Sequence, residues 1–158
     1  MKICEEVDTV FGAGAFPQSG DTLSNSTVLV VDPTPDIETI AGTDRANRVT
    51  LICEPTAEAG MRHIDAKRID CVVSECDAIG VEALDFLSII LNVTPELPVI
   101  FYTKQDSALA RSRLLKAGAT EYYVKTTDPD MRAQIRGAIR RLAAAYHHQY
   151  STQPRIED

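Results

Sequence analysis

Hydrophobic residues along this chain come in short unbroken runs, separated by stretches with helical spacing. Val28-Leu29-Val30-Val31 is the first run; it ends at Asp32-Pro33, with a helix-like patch near Ile37 and Ile40. Val49-Thr50-Leu51-Ile52-Cys53 follows, then a helix-compatible stretch at 56–67. Cys71-Val72-Val73 is the third run, ending in Ser74-Glu75 before an apolar helix over 81–93. Leu97 to Thr103 reads as a fourth strand, and 106–117 as a helix stopped by Gly118, a C′ signal. Tyr122-Tyr123-Val124 is the fifth strand. The last helix is the best signposted: Asp128 suits the N-cap, Pro129 the first helical position, and Asp130 the positive end of the dipole. Met131, Ile135, Ala138, Ile139, Leu142 and Tyr146 then share one face.

Runs without alternation are buried on both sides. Five of them, each followed by a helix, predict a doubly wound α/β domain with a parallel sheet in the order 2-1-3-4-5. The domain is expected over 26–148, with a tail at 149–158. Residues 1–25 read as an extension. Ile3, Val7, Val10 and Phe11 are spaced for a short helix, and Gly12, Gly14, Pro17 and Gly20 follow as a flexible loop. That glycine stretch lacks the Gly-Lys-Ser/Thr ending of a phosphate-binding loop.

Composition narrows the function. At 158 residues with 44% hydrophobic and 25% charged residues, the chain is an ordinary globular domain. The net charge of −7 argues against nucleic-acid binding, and no apolar run approaches a membrane span. Five Lys against eleven Arg, with the acid excess, suit a salt-adapted, halophilic proteome. The four cysteines, Cys4, Cys53, Cys71 and Cys76, form no metal spacing and are expected as reduced thiols in a cytoplasmic protein. His63 reads as a helix-surface residue, and His147-His148 as part of a fraying terminus.

In doubly wound sheets, ligands bind at the carboxyl ends of the strands. Those ends carry Asp32, Glu75 with Asp77 two residues on, Thr103, and Lys125. Such a set could hold a divalent cation through its carboxylates and bind phosphate oxygens through the hydroxyl and the ammonium.

At this point the chain resembles the receiver domain of two-component response regulators, over roughly 26–146. The carrying residues are Val28-Leu29-Val30-Val31-Asp32, Glu75 through Leu87, Leu97 through Thr103, and Ala117 through Lys125. The resemblance implies a flavodoxin-like fold and a phosphorelay module rather than an enzyme. It makes Glu75 the phosphoacceptor position, Thr103, Tyr122 and Lys125 the phosphate-switch positions, and Asp32 with Asp77 the acidic pocket. Reading Asp77 as the acceptor instead loses the matches at Gly80, Glu82 and Leu84.

Two departures stand out. The family holds magnesium between two adjacent acids, but Asp32 is followed by Pro33, so any metal role of Asp32 is expected to be vestigial. The acceptor is Glu rather than Asp. The first helix also looks short by a turn. A phosphorylation-independent pseudo-receiver acting by protein–protein contact is therefore expected, with no cofactor. The alternatives are a conventional receiver phosphorylated by a histidine kinase at an altered site, which would need Mg2+, and a flavodoxin-like small-ligand domain. Expected partners are signalling proteins (a histidine kinase, an output domain or a regulator), with a homodimer through the last helices. Arg132, Arg136 and Arg140, at i, i+4, i+8, form either a solvated basic face or part of that partner surface.

Overall fold

The computed structural model describes residues 2–3, 26–42, 49–66 and 68–151. Its sheet has strands β1 (Lys2–Ile3), β2 (Ser26–Val31), β3 (Val49–Glu54), β4 (Cys71–Ser74), β5 (Val99–Thr103) and β6 (Glu121–Val124), in the order β1-β3-β2-β4-β5-β6. The five strands from β2 onward are all parallel, in the expected order 2-1-3-4-5. The helices are α1 (Ile37–Ala41), α2 (Ala57–Ala66), α3 (Ala83–Val93), α4 (Ala108–Lys116) and α5 (Pro129–Ser151).

Strand pleating divides the apolar runs between two cores. Leu29 and Val31 point to the face covered by α2, α3 and α4, with Phe86, Leu87, Ile90 and Leu114. Val28 and Val30 point to the opposite face, against Ile40 of α1 and Ile135, Ile139 and Ala143 of α5. Each fully buried side chain of this size contributes about 1.5–3 kcal/mol, so both faces must be covered for the sheet to persist. Of the expected face of α5, Met131 is exposed and Ala143 is buried in addition.

Several expectations are corrected. Ile3, placed in a helix by its spacing, lies in a strand that pairs antiparallel with β3, opposite Ile52. The rest of the expected helix and loop, 4–25, lies outside the described residues. The last helix runs to Ser151, past the expected boundary at 148, because His147 and Tyr150 find partners on the body instead of fraying. His63 is buried, its Nε2 2.7 Å from Glu54 Oε2, so the polar position in α2 faces a carboxylate rather than water. Cys53 is disulfide-bonded rather than reduced; Cys71 and Cys76 are free thiols. No described helix is long and apolar enough to cross a membrane.

Candidate functional site

Each strand of the parallel sheet ends where the next loop must turn back over its edge, which brings the four end residues together. Asp32 follows β2 and Glu75 follows β4; both are buried, although neither is apolar. A buried carboxylate needs donors on both oxygens. Asp32 Oδ1 accepts the Thr34 N–H at 2.9 Å, and its Oδ2 accepts from Lys125 Nζ at 2.6 Å. Glu75 Oε1 accepts the Cys76 N–H at 2.7 Å, and Oε2 accepts the Lys104 N–H at 3.1 Å.

The loop after Glu75 is folded to supply the first of the Glu75 donors, the Cys76 N–H. Ala78, at φ 64, and Gly80, at φ 94, both take the left-handed region, and Ile79 O accepts the Ala57 N–H at 2.8 Å to fix the loop on α2. For alanine that conformation costs on the order of 1 kcal/mol. Burial pushes the Glu75 pKa up. The hydrogen bond from Thr103, the N–H groups of Cys76 and Lys104, and the Lys125 charge outweigh it and hold the carboxyl below its ordinary value.

Thr103 is fully buried at the end of β5, and its Oγ1 also accepts the Gln105 N–H at 3.0 Å. Lys125, just past β6, reaches both acids, with Nζ 3.5 Å from Glu75 Oε2. The Lys125–Glu75 contact is thus the longer of the two, because Asp32 lies directly under the ammonium. Tyr122 is 6% exposed, and its hydroxyl donates to Gln105 O at 2.6 Å. Asp77 is exposed at the rim and lines a hollow of about 270 Å³ with Cys76, Glu82, Gln105 and Arg113. Burial raises the Cys76 thiol to about 11, which leaves it protonated and unreactive at neutral pH.

Arg132, Arg136 and Arg140 of α5 are partly buried and engaged with the body of the domain. Arg132 lies 3.7 Å from Asp36 Oδ2 and 3.6 Å from Glu38 Oε1, and its Nε donates to Thr126 O at 3.0 Å. Arg136 Nε donates to Thr39 O at 3.2 Å, and Arg140 Nη2 donates to Ala41 O at 2.6 Å. Five residues cannot satisfy their own carbonyls, so α1 borrows donors from α5. Gly42, at φ +68, makes this possible: a Cβ there would sit 2.4 Å from Arg136 Nε.

Sequence reading missed Tyr102 and Asp36. Tyr102 is buried with its hydroxyl donating to Asp36 Oδ2 at 2.7 Å, and its ring centroid is 5.9 Å from Lys125 Nζ. Asp36 caps α1 through the Thr39 N–H at 3.2 Å. The Asp-x-x-Thr spacing was the available signal for that cap.

No protein-family model and no curated protein matches the sequence. Solved structures do. A CheY-like response regulator receiver domain protein from Methanospirillum hungatei aligns at 19% identity and a TM-score of 0.60, over 80% of this chain and 99% of that one. A two-component response regulator from Clostridium difficile aligns at 18% and 0.63, over 74% and 97%. A receiver domain protein from Clostridium thermocellum aligns at 25% and 0.58, over 73% and 95%. The chain has the CheY-like receiver fold.

Proposed function

We propose that this chain is a receiver-type signalling module whose pocket is set by the Glu75 carboxylate in place of a phosphoryl group, and that it acts by binding proteins rather than by catalysis. The observation that carries this reading is the donor set on Glu75: the Cys76 and Lys104 N–H groups, the Thr103 hydroxyl and the Lys125 ammonium all converge on one carboxylate. Glu is longer than Asp by one methylene, so its oxygens reach about 1.5 Å further into the pocket, where a phosphoryl group on Asp would lie.

Tyr122 lies inward, and its buried ring supports a two-state equilibrium already biased without a ligand. A fixed carboxylate leaves little for phosphate to add. Partner contact is expected on the face beside Tyr122, where a groove of about 640 Å³ runs between α4, β6 and the start of α5, lined by Arg111, Glu121, Tyr123 and Met131 among others. The partners expected there are signalling proteins.

The test is incubation with acetyl phosphate and magnesium followed by intact mass. The expected result is no phosphoryl adduct. An adduct on Asp77 or Glu75 overturns the reading in favour of a conventional receiver. In parallel, Glu75→Gln removes the charge at nearly constant volume. It should loosen Tyr122, seen as increased exposure of that ring to a soluble quencher, while an unchanged Tyr122 shows that Glu75 does not hold the switch.

A further inference from the structure

The resemblance to receivers implies a magnesium ion beside the acceptor, and the residues here do not fit one. Magnesium asks for near-octahedral oxygen donors at about 2.0–2.1 Å and gives up its water reluctantly. Pro33, at the second acidic position, brings no carboxylate. The oxygens that remain are engaged. Asp32 faces the Thr34 N–H and the Lys125 ammonium, and Glu75 faces two backbone N–H groups with the same ammonium 3.5 Å away. Among the described residues, no three His, Cys, Asp or Glu side chains gather as a metal-holding group.

We propose that Lys125 is the resident counter-cation of this pocket: its ammonium, between Asp32 and Glu75, does the electrostatic work of a divalent ion and closes the site to one. The inference deepens the reading of Glu75 as a fixed substitute for phosphate and rests on it. Two carboxylates buried side by side require a positive charge, whatever its source. The Lys125 side chain is only 14% exposed, and its ammonium stands 5.9 Å from the centre of the Tyr102 ring, so the charge is delivered by a tethered group that cannot diffuse away. A tethered cation has no concentration dependence; a magnesium ion does. The pocket would then hold its geometry at any magnesium level, as a constitutive module requires.

The proposal has a gain-of-function consequence. Removing the ammonium while keeping the stem, Lys125→Met, leaves two carboxylates with no counter-charge, and a divalent ion becomes the simplest replacement. The experiment is a titration of the full chain with magnesium, then manganese and calcium, following the amide resonances of Thr34, Cys76 and Lys104. Those three N–H groups donate to the carboxylates in question.

In the unaltered chain they should not move with millimolar magnesium. In Lys125→Met they should shift saturably, with apparent affinity tighter by on the order of tenfold or more. The melting temperature should rise with ion concentration, as mass action requires for a ligand of the folded state. Lys125→Arg keeps the charge and should stay indifferent to the ions. If Lys125→Met is unfolded in chelator, its refolding by any of the three ions supports the proposal, and failure of all three overturns it.

Saturable magnesium binding by the unaltered chain also overturns it, as does a folded Lys125→Met that ignores all three ions. An unaltered chain that binds magnesium yet takes no adduct from acetyl phosphate sinks this inference and leaves the reading of Glu75 intact. Phosphoryl transfer to the chain sinks that reading itself.

Discussion

The two edges of the parallel sheet solve the same problem in different ways. At the carboxyl edge, Asp32 and Glu75 are buried, served by backbone N–H groups, and neutralised by Lys125 from a distant strand end. At the amino edge Asp70 is buried at 1% exposure. Its Oδ2 accepts the Thr27 N–H at 2.8 Å and lies 3.0 Å from His147 Nδ1 near the end of α5. The first cluster contains a permanent cation; the second relies on an imidazole that is charged only when protonated.

Satisfaction differs too. Among the described residues, Asp70 Oδ1 has no hydrogen-bond partner, and Arg68 Nε stands 3.9 Å off. The carboxyl edge is therefore a finished electrostatic unit suited to holding a pocket in one state. The amino edge is a tether for α5: one backbone bond fixes the strand register, and one imidazole pins the helix end.

The largest break in this comparison should come from the two central residues. In chelated buffer at neutral pH, Lys125→Met should cost about 3 kcal/mol by urea unfolding, because it strands two buried carboxylates. Asp70→Ala should cost about 2 kcal/mol, because it strands the Thr27 N–H and removes a contact of His147. If the order is reversed, the carboxyl edge is not the more tightly coupled cluster.

Acid sharpens the contrast next. Asp36 is half-buried, which raises its pKa, but the hydrogen bonds from Thr39 and Tyr102 and the Arg132 charge win, so it lies below its ordinary value, as Glu75 does. A carboxyl depressed in the folded state adds stability that is fully present above its unfolded value and is lost as pH falls through the lower folded value. Those ordinary values are 4.5 for Glu75 and 3.8 for Asp36. Unfolding free energy should therefore be flat in these groups above about pH 5 and fall below pH 4.5, and Glu75→Gln should flatten part of that acid limb. An unchanged limb in the variant would mean that Glu75 gains nothing from its donors.

The smallest effect should belong to His147. Its side chain is 26% exposed, so His147→Gln should cost at most about 1 kcal/mol, with the loss confined to the last turns of α5 in hydrogen exchange. Protection lost across the sheet would show that the tether carries more than the helix end.

Much of this molecule was legible from the chain alone. Unbroken apolar runs gave the parallel strands. Gly118 marked the end of α4, where a Cβ would sit 2.7 Å from Leu91 Cδ1, and Asp128 marked the start of α5, accepting the Met131 N–H at 3.0 Å. These signals are local: a residue reports its own backbone conformation and which side of its own element is dry. Strand order then followed from chirality and connection rules, and so did the meeting of Asp32, Glu75, Thr103 and Lys125 at one edge.

The choice of partner was decided only in three dimensions. Lys125 meets Asp32 more closely than Glu75, Arg136 and Arg140 serve the carbonyls of α1, and His63 turns inward to Glu54. The i, i+4, i+8 spacing of the arginines correctly placed them on one face of a helix, but not what that face would cover. The reason is physical. A long charged side chain can reach several neighbours, and which it takes depends on the distances left after both cores have packed. Those distances join residues as far apart in sequence as Asp32 and Lys125, so they are properties of the folded sheet and not of any stretch of chain.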